Sequence, residues 1–78
     1  MVYCNLVEKH QEYAIYSVGT DAGDITGEAK FFNKFVQPLV IRQPKTGFVS
    51  NATLSKVAIK YRNVFLNGEF PNKISYEI

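Results

Sequence analysis

Residues 50–68, SNATLSKVAIKYRNVFLNG, decide the fold. Within them Leu54, Val57, Ala58, Tyr61 and Phe65 recur at spacings of three and four. At one residue per roughly 100° of turn, those five fall within about 100° of arc, the width of stripe that a helix lays on a sheet. Lys56, Lys60 and Asn63 take the opposite side. Ser50 or Asn51 offers an N-cap oxygen for the first free N–H groups. Asn67 and Gly68, with Pro71 three residues on, are the usual punctuation of a helix C-terminus. The spacing therefore predicts one helix over about residues 51–67. Ile59 and Leu66 fall outside the stripe, roughly 120 to 140° from Leu54 and one above the other. They widen the buried face, rest under a terminal strand, or form a homodimer contact with Arg62 at its rim.

Everything upstream of this helix reads as strand and turn. Residues 2–7 and 13–18 are rich in Val, Tyr, Leu and Ile and are separated by the polar run from Glu8 to Glu12, the pattern of an antiparallel hairpin. Residues 19–24 gather Gly, Thr, Asp and Ala, with a turn at Gly23 and Asp24. A third strand follows over about residues 25–33, where Gly27, Ala29 and Phe31 alternate with Glu28, Lys30 and Phe32. The small Gly27 and Ala29 leave room for something bulky to cross their face. Pro38 donates no ladder hydrogen bond, so the fourth strand starts just after it, with Leu39 and Ile41 sharing the buried face and Arg42 outward. Residues 44–47 make a turn, and residues 74–78 alternate again as a short final strand.

The expected architecture is α+β. An antiparallel four-stranded β-meander, with a short fifth strand at the C-terminus, is covered on one face by a single helix. Tyr3, Tyr16, Phe32 and Arg42 are expected on the uncovered face. In topology alone, four strands followed by a helix is similar to the order in whirly-type single-strand binders; no residue motif of that family accompanies it, and fold analogy does not assign function.

Charge is unevenly distributed along the chain. Glu8, Glu12, Asp21, Asp24 and Glu28 stand against a single Lys9 in the first third, whereas the middle carries Lys30, Lys34, Arg42, Lys45, Lys56, Lys60 and Arg62 with no carboxylate. The total of +2 hides that asymmetry, which points toward an anionic partner. Lys30, Lys34, Arg42 and Lys45, with Phe32 as a stacking ring, form a candidate surface for single-stranded nucleic acid. The competing reading makes Phe31 and Phe35 core, the lysines a solvated face, and the acidic hairpin a cross-strand partner that cancels the field.

Catalytic and metal chemistry find little in the residues. Cys4 and His10 are expected apart, one mid-strand and one in a loop, so no thiolate and base pair is formed. Asp21, Asp24 and Glu28 depart from the calcium-loop spacing and serve the turn. The five glycines never reach a phosphate-loop spacing. One cysteine permits no internal disulfide, and Cys4 with the single His10 cannot complete a zinc cage. No cofactor is called for. With no basic leader in residues 1–6 and no apolar run near the roughly 20 residues of a bilayer span, a cytoplasmic protein without membrane contact is expected. The reading is of a non-enzymatic binding or accessory module, with nucleic acid, another anionic partner or a second copy as the candidate partner. A 78-residue chain hides only about 60% of its unfolded surface, so self-association would add useful stability.

Overall fold

The computed structural model describes residues 1–77. Strands β1 (Val2–Lys9), β2 (Tyr13–Gly19), β3 (Gly27–Phe32) and β4 (Leu39–Arg42) are followed by helices α1 (Asn51–Lys60) and α2 (Arg62–Leu66) and by β5 (Lys73–Tyr76). The five strands form one antiparallel sheet in the order β4-β3-β2-β1-β5, with the helical segment against one face, an α+β fold. The fifth strand closes on β1, pairing Val2 with Tyr76 and Cys4 with Ile74. Ile78, which the sequence pattern assigns to the same strand, lies outside the described residues.

The core is built by the period of two in the strands meeting the period of 3.6 in the helix. Val2, Cys4, Ala14, Tyr16, Val18, Ala29, Phe31 and Ile74 bury one face of the sheet against Leu54, Val57 and Phe65. Val49 and Phe70 close its ends. Phe31 is its centre, with the Tyr16 ring edge-on at 5.4 Å and Phe65 at the same distance. The Tyr16 hydroxyl, deep in this layer, donates to the Pro71 carbonyl at 2.5 Å and ties β2 to the chain entering β5.

Both ends of the helical segment form as the sequence implies. Ser50 Oγ accepts from the Thr53 N–H at 3.1 Å. At the other end Gly68 takes φ +78°, while its own N–H reaches the Phe65 carbonyl and that of Glu69 reaches the Val64 carbonyl. That is the paired bonding that satisfies the last carbonyls of a helix. The helix expected over residues 51–67 is present, interrupted at the single residue Tyr61 (φ −103°, ψ 14°), which divides it into α1 and α2. The bonds from Tyr61 N–H to the Val57 carbonyl and from Phe65 N–H to the Tyr61 carbonyl carry the ladder across the break. The apolar stripe consequently stays on one side.

Three expectations about faces are corrected. Leu39 and Ile41 do not share the buried face of β4: both are about half exposed, and it is Val40 that packs on the core. The register sets Leu39 opposite Lys30 and Val40 opposite the buried Ala29, so Val40 takes the inner face; a bulge then leaves Ile41 as the extra residue and pairs Arg42 with Glu28 on the open face. Tyr16 lies inward, not on the open face, because it pairs with the buried Ala29. The room beside Gly27 is taken by the chain leaving β4, not by a large side chain.

Two side-chain clamps fix that exit. The Gln43 amide donates to the Val49 carbonyl at 2.9 Å and accepts from the Val49 N–H at 2.8 Å. Asp24 accepts from the Thr26 hydroxyl and from the Thr46 N–H (2.6 Å) and hydroxyl (2.5 Å), joining two turns. Those bonds, from Thr26 first and then Thr46, hold the Asp24 carboxyl down at about pH 2, below its ordinary range. Because the folded value is the lower one, the stabilisation is fully present above about pH 4 and is lost as the pH falls toward 2. The melting temperature is expected to fall between those limits, and Asp24→Asn to flatten that dependence while lowering the melting temperature at neutral pH.

Candidate functional site

Between the helical segment and the loop of residues 33–38 lies an apolar groove of about 230 Å³. The loop is held at both ends. At its start the Asn33 N–H donates to the Glu12 carbonyl and its side-chain amide to the Gln11 carbonyl; at its end Pro38 is fully buried. Between those anchors Phe35 and Val36 stand out beside Ile59 and Leu66, all four between 46% and 73% exposed. Phe31 and Phe65 reach the floor from the core.

The groove's charges have one sign. Lys34 and Arg62 line it, and no carboxylate does. Neither cation makes an ion pair among the described residues, whose two pairs are His10 with Glu8 and Arg42 with Glu28. An apolar trough with unneutralised cations at its edge can hold an apolar group that carries negative charge.

The five residues that the sequence groups for nucleic acid occupy three places. Lys30 and Phe32 lie on the uncovered face of the sheet, where the Lys30 ammonium stands 4.0 Å from the Tyr13 ring centroid and 5.3 Å from that of Phe32. Tyr13 and Phe32 are directly opposite across strands, and the His10 ring stacks on Tyr13 at 4.5 Å. Arg42 is on the same face but engaged: it stands 3.3 Å from Glu28 and donates to the Thr26 carbonyl. Lys45 sits in the turn held by Thr26 and Asp24. Lys34 belongs to the groove.

Ile59 and Leu66 are exposed, as their angle from Leu54 suggests, but they line the groove beside the β3 to β4 loop. They do not rest under β5, which lies at the far edge of the sheet. Arg62 sits beside them, as it does at the rim of the contact read from the sequence, whereas Phe35 and Val36 complete the site and were not grouped with them by sequence pattern. The reading that competes with nucleic-acid binding puts Phe35 in the core, and the structure does not; the signal for its exposure is Pro38, which ends the strand alternation and leaves the residues before it in a loop.

Cys4 and His10 are separated by burial. Cys4 is enclosed in the core and burial pushes its thiol up to about 12, so it is protonated at neutral pH. His10 is exposed and bonded to Glu8 at 2.9 Å. Among the described residues no three His, Cys, Asp or Glu side chains come together as metal ligands, and no helix is long and apolar enough to cross a membrane. The chain matches no protein-family model, no curated protein and no solved structure.

Proposed function

We propose that this protein is a non-catalytic binding module that uses the groove between α1, α2 and residues 33–38 to take an acidic, amphipathic helix of a partner protein. The observation that carries the reading is the pairing of exposed Phe35, Val36, Ile59 and Leu66 with Lys34 and Arg62 and no carboxylate. Size favours a peptide. At about 230 Å³ the groove is smaller than the roughly 300 to 1,000 Å³ of small-molecule sites, but an open trough accepts the apolar face of a helix. Charge argues against a second copy in the same groove, because a two-fold pairing sets the same patch against itself and this patch offers no acid to meet its cations. The single buried thiol supports a reducing, cytoplasmic setting.

The test is a titration of a labelled amphipathic peptide with leucines on one face and glutamates on the other, read by fluorescence anisotropy. Micromolar binding is expected, weakened about tenfold or more by Arg62→Glu and by Lys34→Glu, since each places a like charge against the peptide. The same peptide with lysines in place of glutamates is expected not to bind. Single-stranded DNA in the same assay separates the alternative: salt-sensitive DNA binding lost in Phe32→Ala and Lys30→Ala, with no peptide binding, would put function on the uncovered sheet face instead.

A further inference from the structure

We infer that the groove continues past Pro38 into a hollow beside Phe48, and that the partner helix is therefore about four turns long, acidic in one half and neutral in the other. This rests on the groove reading above and specifies the partner that reading requires. Leu39 and Phe48 line the second hollow, about 160 Å³, with Val40, Gln43, Val49 and Asn51. Phe48 is 71% and Leu39 50% exposed, so both hold apolar surface out in water. The Gln43 amide bonds both the N–H and the carbonyl of Val49, which fixes the chain next to Phe48.

Both walls pass from the groove to the hollow. On the helical side Asn51 borders the hollow, while Ser55, Ile59, Arg62 and Leu66 border the groove. Steps of four, four, three and four residues at about 100° each keep these five within about 80° of arc, so they form one ridge along α1 and α2. The bonds that carry the ladder past Tyr61 keep that ridge unbroken. On the other side the loop wall ends at Pro38, and Leu39 and Val40, the next residues of the chain, wall the hollow. Pro38 itself is fully buried and lies in the floor, not as a partition. At 1.5 Å per residue, Asn51 to Leu66 spans roughly 22 Å, the length of about four helical turns.

Charge sorts along this length. Lys34 and Arg62 stand at the groove end, whereas among the described residues none that lines the hollow is charged. Carboxylates over the groove meet two cations, and carboxylates over the hollow would be desolvated against Leu39 and Phe48 with no cation to meet them. The partner therefore carries its acids in the half that lies against α2 and Lys34. Its other half presents apolar side chains to Phe48 and Leu39, as successive anchors of one helix face.

Two labelled peptides of about 18 residues, matched in length and helix propensity, decide it by fluorescence anisotropy. The first has leucines along its whole apolar face and glutamates in one half; the second keeps that half and replaces the leucines of the other half by glutamines. The unaltered protein is expected to bind the first about tenfold more tightly. Phe48→Ala, in a side chain mostly in water, is expected to keep the circular dichroism spectrum, to lower the first peptide's affinity to that of the second and to leave the second unchanged. Leu39→Ala is expected to give the same pattern, and Arg62→Glu to weaken both peptides alike. Equal affinity of the unaltered protein for the two peptides, or an equal loss for both in Phe48→Ala, overturns the inference and leaves the groove reading in place. Binding of neither peptide overturns both.

Discussion

Phe31→Ala is expected to leave the protein unfolded at room temperature. Phe31 is fully buried, and its ring meets both Tyr16 from the sheet and Phe65 from the helix. Truncating such a ring costs about 3 to 5 kcal/mol in lost transfer energy and cavity. A chain below roughly 80 residues seldom draws more than about 3 to 5 kcal/mol from its core. The substitution therefore removes nearly all of the stability. Phe35→Ala, in a side chain that is mostly in water, is expected to shift stability by no more than about 0.5 kcal/mol. Urea unfolding followed by circular dichroism checks both, and a cooperative transition for Phe31→Ala close to that of the unaltered protein would contradict the packing.

The second large effect is expected at Gly27. A Cβ there would lie 2.7 Å from the Arg42 carbonyl oxygen and 2.8 Å from the Pro44 nitrogen. Those are backbone atoms at the point where the chain leaves β4, and the neighbouring Glu28 to Arg42 pairing and the Gln43 clamp oppose their retreat. Overpacking against such a wall costs about 1 to 3 kcal/mol, so Gly27→Ala is expected to lower the urea midpoint sharply with the slope unchanged. Gly23→Ala is the matched comparison. A Cβ at Gly23 meets only the Asp21 carboxylate at 3.5 Å, an ordinary contact, and stability is expected to hold.

These two positions also show what the residues disclose in advance and what they do not. The helix was legible because its signals agree: the stripe from Leu54 to Phe65, the Ser50 cap and the Gly68 stop all reappear in the structure. The hairpin, the third strand and the terminal strand were legible from alternation and turn residues. The faces of β4 were not. The register of β4 against β3, which sets Leu39 opposite Lys30 and Val40 opposite Ala29, leaves no mark in composition, so Leu39 and Ile41 point to water although their spacing suits a core. The fate of small residues is equally hidden, since Gly27 makes room for backbone that arrives from a different element.

The groove was half legible. The helix wheel sets Ile59 and Leu66 together with Arg62 at their rim, and the charge pattern flags Lys34 separately. Nothing local joins them, because the loop that carries Lys34, Phe35 and Val36 meets the helix only through the pairing of β3 with β4 and the packing of α1 and α2 beside those strands. Conversely, the basic run that looks continuous from Lys30 to Lys45 is divided by the pleat and the turns into an open sheet face, a groove wall and a clamped loop.

Backbone amide shifts of the isotopically labelled protein, followed by NMR during titration with the leucine and glutamate peptide, give the most direct view of the working surface. The expected result is a set of concentration-dependent shifts gathered at Lys34, Phe35, Val36, Ile59, Arg62 and Leu66, with Tyr13, Lys30 and Phe32 unmoved. Shifts confined to the uncovered sheet face, or none at millimolar peptide, would contradict the groove as the binding surface.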